Sequence, residues 1–118
     1  MIQLSLPYPP TVNSIWRNFK GRSIKSAKYR AWSIEAQRAI ADLRINSRIT
    51  GPYHMEIQVT RPDRRRRDLS NLIKVPEDAI VQAGLVRDDC DAESVKISWA
   101  KGEPKKGGAI HVWLWGAE

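Results

Sequence analysis

The chain has 118 residues, with 20 Lys plus Arg against 13 Asp plus Glu and a net charge of +7, giving a pI near 9.9. That length suits one domain with a modest core, and the basic excess favours an anionic partner, nucleic acid first. No apolar run is long enough for a membrane span and no leader pattern opens the chain, so a soluble cytosolic protein without a membrane partner is expected. Cys90 is the only cysteine, which excludes an intramolecular disulfide and argues against cysteine-held zinc. The two histidines, His54 and His111, fall in strand-like segments, so any metal would need oxygen ligands.

Residues Ile2 to Leu6 alternate as a short strand, ended by Pro7, Pro9 and Pro10, which remove backbone donors and fix φ. A loop is expected through Thr11, Asn13, Trp16 and Arg17 to Gly21, then a short basic strand from Arg22 to Lys25. Ser26 has the chemistry of a helix N-cap, and Tyr29, Trp32, Ser33, Ala36, Ile40 and Leu43 recur at helical spacing, predicting a helix over 27–44 that needs a sheet to cover. After the Gly51-Pro52 breaker, Tyr53, Met55, Ile57 and Val59 alternate with His54, Glu56, Gln58 and Thr60, the clearest strand signal.

Further along, Leu69, Leu72, Ile73, Pro76, Ala79, Ile80 and Ala83 fall within about a third of a helical wheel. They predict a second helix capped by Asp68 and ended by Gly84. Pro76 conflicts with a continuous helix, which must bend there or start late. Val95, Ile97 and Trp99, then Ala109 to Trp115, make two more strands, expected to pair as a hairpin across the basic, glycine-rich 102–108 connection. The last strand is apolar on both faces, so a second covering surface such as another subunit is expected. The fold class is α+β: a single domain over 1–118 with a mixed or antiparallel sheet packed by two helices.

The densest chemistry is Asp63-Arg64-Arg65-Arg66-Arg67-Asp68-Leu69-Ser70-Asn71-Leu72-Ile73-Lys74. Guanidinium groups hold phosphates, a carboxylate can hold a hard cation against them, and a lysine can neutralise charge as a phosphodiester breaks. A second acidic group, Asp88, Asp89 and Asp91, follows Gly84. A helix of about 16 residues rises roughly 24 Å, so its two ends cannot share one ion unless the chain beyond Leu85 folds back or a partner subunit contributes. Plainer roles stand beside these: Asp68 as a cap, Asp88 and Asp89 as turn residues, the arginines as a solvated strand end. Tryptophans are most often core or interface, although Trp16 in the early loop is placed to meet DNA.

The ordered combination of Leu6-Pro7-Tyr8-Pro9-Pro10-Thr11-Val12-Asn13, Pro62 to Leu69, Asn71-Leu72-Ile73-Lys74, Asp78-Ala79-Ile80 and Gly84-Leu85-Val86-Arg87-Asp88-Asp89 resembles the RusA family of Holliday junction resolvases along nearly the whole chain. The resemblance implies a two-fold homodimer of an α+β fold that nicks opposed strands of four-way DNA junctions in recombination and repair. It implies a bacterial or prophage protein of the cytoplasm, nucleoid-associated when bound to DNA. Residue by residue, Asp68 resembles the first acid of the family's D-x-D-N motif, Asp89 the later essential acid and Lys74 the catalytic lysine. Asp68, Asp88 and Asp89 would then hold magnesium, or manganese in its place, while Arg64, Arg65, Arg66 and Arg67 with Lys74 hold the DNA backbone. The motif's second acid falls at Ser70, a neutral hydroxyl and a much weaker ligand than a carboxylate. This leaves open a catalytically impaired protein that still binds junctions.

Overall fold

Tyr53, Met55, Ile57 and Val59 are at most 1% exposed, and the strand that carries them lies inside the sheet with a partner on each edge. In the computed structural model, which describes residues 1–117, the strands and helices run β1 (Ile2–Leu6), β2 (Trp16–Phe19), β3 (Arg22–Lys25), α1 (Ala27–Asp42), β4 (Tyr53–Thr60), α2 (Lys74–Gln82), β5 (Ala92–Trp99) and β6 (Ala109–Gly116). The main sheet has the order β1-β6-β4-β5. β6 is antiparallel to both β1 and β4, whereas β5 is parallel to β4. This is an α+β domain with a mixed sheet and two helices.

The expected hairpin between β5 and β6 does not form. The two strands lie on opposite edges of β4, and the nine residues between them pass over its end. Ala100 N donates to Val59 O at 2.8 Å and Lys105 N donates to Arg61 O at 2.9 Å, tying that connection to the chain leaving β4. The physical reason is burial: β4 and β6 bury every second side chain, while β5 carries Glu93, Ser94 and Lys96 and tolerates an edge. A parallel neighbour needs a crossover, and the segment containing α2 supplies it. Gly108 lets the connection close, with φ +60° and no room for a side chain: a Cβ would lie 2.8 Å from Thr60 O and 2.9 Å from Tyr8 Cδ1.

α1 forms where its spacing predicts. Ser26 Oγ accepts from Tyr29 N at 3.1 Å, and Tyr29, Trp32, Ala36 and Ile40 turn inward. Trp32 Nε1 donates to Pro7 O at 2.9 Å, pinning the helix to the proline turn after β1. The second helix starts late. Asp68 precedes a 3₁₀ turn over Leu69–Leu72 and makes no side-chain cap bond, so its expected capping role is not seen. The α-helix begins at Lys74. Pro76 is thereby its third residue, where an N–H would lack an intrahelical acceptor, and the sequence conflict disappears. Gly84, at φ +76°, ends the helix as expected.

The segment expected to be a loop around Trp16 is instead β2, paired with β3 in a separate two-stranded ribbon. The last strand's inward residues Ile110, Val112 and Leu114 are fully buried. On its other face Trp113 and Trp115 are half-buried and His111 is exposed. Those tryptophans rest against histidines, with ring centroids 5.3 Å apart for His111 and Trp113 and 5.6 Å for His54 and Trp115.

Candidate nucleic-acid and carboxylate site

The arginine run leaves β4 on an Asx turn. Asp63 Oδ1 accepts from Arg65 N at 2.9 Å, and both Asp63 oxygens receive Arg67, at 2.5 and 3.0 Å. The Arg67 hydrogen bond, helped by Arg65, holds the Asp63 carboxyl far below the ordinary carboxylate range. Arg64 pairs with Glu103, and Arg65 also stands 3.4 Å from Asp63. Among the described residues Arg66 alone of the four has no acidic partner. The sequence reading set all four arginines against the DNA backbone; in the fold three of them pair with acids, two with Asp63 and one with Glu103.

Asp68 and Arg67 line a groove of about 700 Å³ together with the proline turn, Lys28, Trp32 and Glu35. The later aspartates lie in a second groove, where Asp88 and Asp89 meet Asp78, Lys25 and Tyr29. α1 borders both, with Lys28 on the first and Tyr29 on the second. Beyond Leu85 the chain does fold back: Asp89, from the 3₁₀ turn before β5, reaches the first residue of α2. Lys74 Nζ donates to Asp89 Oδ2 at 2.9 Å and stands 3.0 Å from Asp78 Oδ1, one helical turn on. Hydrogen bonds to Asp89 first and Asp78 second push the Lys74 ammonium above the ordinary lysine range, so it stays charged at any physiological pH.

The remaining acids have local duties. Asp88 Oδ1 accepts from Cys90 N at 2.9 Å, and that bond first of all lowers the Asp88 carboxyl. Asp91 takes Arg87 in two hydrogen bonds, at 2.8 and 3.0 Å. Burial, then the charge of Asp89, pushes the Glu77 carboxyl up. Among the described residues no three His, Cys, Asp or Glu side chains stand together as a metal site. With Ser70 neutral and Asp89 holding an ammonium, the carboxylates of a single chain do not gather around one divalent cation, whose ligands would be Asp68, Asp88 and Asp89. Asp78 was the partner the sequence reading left unassigned; its spacing of four from Lys74, on the polar face of the helix, carried the signal.

The model of the family described as endodeoxyribonuclease RusA matches residues 7–112. The chain belongs to the RusA family. A RusA crossover junction endodeoxyribonuclease of Escherichia coli K12 is 33% identical over 109 residues, covering 92% of this chain and 89% of that relative. One from Enterobacteria phage 82 matches at the same identity and coverage, and one from Escherichia coli O139:H28 is 35% identical over 102 residues, covering 84% and 85%. The RusA match takes in both grooves, the arginine run and Lys74. No helix among the described residues is long and apolar enough to cross a membrane.

Proposed function

We propose that this chain is a structure-specific endonuclease that binds four-way DNA junctions and resolves them by paired nicks in recombination and repair. The observation that supports the reading is Lys74, held by Asp78 and by Asp89 from a distant turn, beside a groove lined by Lys25 and three aspartates, in a chain of net charge +7. Its permanently charged ammonium can donate to a phosphate oxygen and offset the charge that develops on the leaving oxygen. The arginines at 64–67 bind the DNA backbone, Arg66 with no acid to displace among the described residues and the other three by exchanging Asp63 or Glu103 for phosphate. Two such sites related by a two-fold axis match the symmetry of paired cuts, and the uncovered sheet face around Trp113 and Trp115 is the surface assigned to a homodimer. The working place is the bacterial cytoplasm, on the nucleoid when bound to DNA. Magnesium, with manganese as a substitute, is the cofactor of this reading, and Asp68, Asp88 and Asp89 are its assigned carboxylates, although these side chains do not converge as they stand.

The serine at position 70 and the missing three-carboxylate group favour a second reading, in which the chain binds junctions without cutting them efficiently. The two are separated by cleavage of four-way junction and linear duplex, with magnesium, with manganese and with chelator, for the unmodified chain and Ser70→Asp. Metal-dependent nicks near the crossover by the unmodified chain support the nuclease. A large gain in cleavage on Ser70→Asp at unchanged binding supports the binder. Equal action on duplex and junction overturns both.

A further inference from the structure

The ribbon of β2 and β3 stands outside the main sheet and buries almost nothing of itself. Trp16 is 55% exposed and Phe19 45%, two aromatic rings left open to solvent on one projection. The turn at its tip is Lys20-Gly21, both with positive φ, at 50° and 77°, the two-residue geometry that matches strand twist. Its base is fixed: Ile15 is buried, Ser26 N donates to Ile15 O at 2.8 Å, and Ser26 Oγ donates to Ser14 O at 2.5 Å. It is a paired two-stranded projection anchored at its root.

Its two faces carry the same pairing of chemistries. On one, Trp16 lies opposite Lys25, whose ammonium sits 4.3 Å from the Trp16 ring centroid and 4.7 Å from that of Tyr29. On the other, Phe19 lies opposite Arg22, with Arg17 5.4 Å from its ring centroid. The first acidic residue in the whole chain is Glu35, so nothing on the ribbon repels a polyanion. A cation beside an exposed aromatic ring on each face is the combination that takes unpaired or terminal bases by stacking while holding the adjoining phosphates. Lys25 also lines the groove containing Asp88 and Asp89, so the Trp16 face borders the carboxylate site.

We propose that this ribbon is a wedge for the branch point of junction DNA, with Trp16 stacking on the end of the arm nearest the Lys74–Asp89 site and Phe19 on the arm behind. The inference rests on the junction-binding reading above and adds the element that recognises the branch. A continuous duplex offers no open base face to such rings, whereas a crossover offers several, so the ribbon confers preference for the junction and places the carboxylate groove beside the crossover.

The test uses a four-way junction carrying 2-aminopurine either at the branch or in mid-arm, titrated in chelator so that binding is read without cutting. The unmodified chain raises fluorescence at the branch label and leaves the mid-arm label unchanged. Trp16→Ala abolishes most of that rise and weakens junction binding by about 5- to 160-fold, the range for one lost base stack, while duplex binding holds within about twofold. Trp16→Phe restores most of both, and circular dichroism confirms that each variant is folded. If the unmodified chain prefers the junction and Trp16→Ala and Phe19→Ala keep both the preference and the fluorescence rise, the wedge is overturned and the junction reading survives. If the unmodified chain binds junction and duplex alike, the junction reading itself fails and takes the wedge with it.

Discussion

Replacing Asp63 by Asn tests whether the arginine run is held in check by its own acid. Asparagine keeps an oxygen for Arg65 N, so the turn that shapes the run survives, but it removes the charge that binds Arg67 through both carboxylate oxygens and attracts Arg65. One or two guanidinium groups become free for phosphates. Each added phosphate contact steepens the dependence of log K on log salt by about 0.9, so between about 50 and 200 mM salt the variant should lose roughly 3.5-fold more affinity than the parent for one contact, or about 12-fold more for two. Fluorescence anisotropy of a labelled junction across that salt range measures the slope. Because Arg67 depresses the Asp63 carboxyl, the clamp is complete above the ordinary carboxylate range and opens only as pH falls through the depressed value. The parent's slope should therefore be flat in pH between about 5 and 8 as far as this group is concerned. An unchanged or shallower slope in a folded Asp63→Asn variant would mean that Asp63 presents the arginines rather than withholding them.

Two further substitutions address the scaffold. Gly108→Ala forces a Cβ against the Thr60 carbonyl at positive φ, a conformation that alone costs about 1–2 kcal/mol. Thermal melting should show Tm lowered by roughly 5 °C or more, and a drop under about 2 °C would remove the steric argument. Tyr53→Phe deletes a buried hydroxyl that has no partner among the described residues. It should be neutral or stabilising by up to about 1 kcal/mol in urea unfolding, and a loss above about 1 kcal/mol would reveal a hydrogen bond instead. Burial, followed by Glu77 and Asp89, pushes the Tyr53 phenol up to about 12. The native state thus favours the neutral phenol, and its contribution is present below the ordinary tyrosine range and lost as pH rises toward about 12. The advantage of Phe over Tyr at position 53 should accordingly grow in that alkaline window.

Several parts of the fold were legible because they depend on near neighbours. The α1 stripe and its Ser26 cap, the alternation of β4 and the stop at Gly84 each follow from side chains within a few residues of one another. Pro76 was legible as a conflict, and its solution, a late start, uses only the lack of acceptors in the first turn of a helix. The expectation of a β5–β6 hairpin failed because sequence adjacency says nothing about which strand can fill the middle of a sheet. β4, apolar throughout its inward face, takes that place and separates the two.

The candidate site divides along the same line. The residue types came from the sequence: an arginine run, a lysine and aspartates in two groups, and a serine where the family motif has an acid. Their present duties came from packing, since Asp63 and Glu103 draw arginines away, Asp78 and Asp89 draw in Lys74, and Asp68 opens onto a different groove from Asp89. Charge sums and helical spacing are local quantities and survive reading as a string. Which acid meets which base across 15 residues of chain, and which aromatic ring is left standing in water, depends on how strands and turns bring distant segments together, and that only the folded molecule decides.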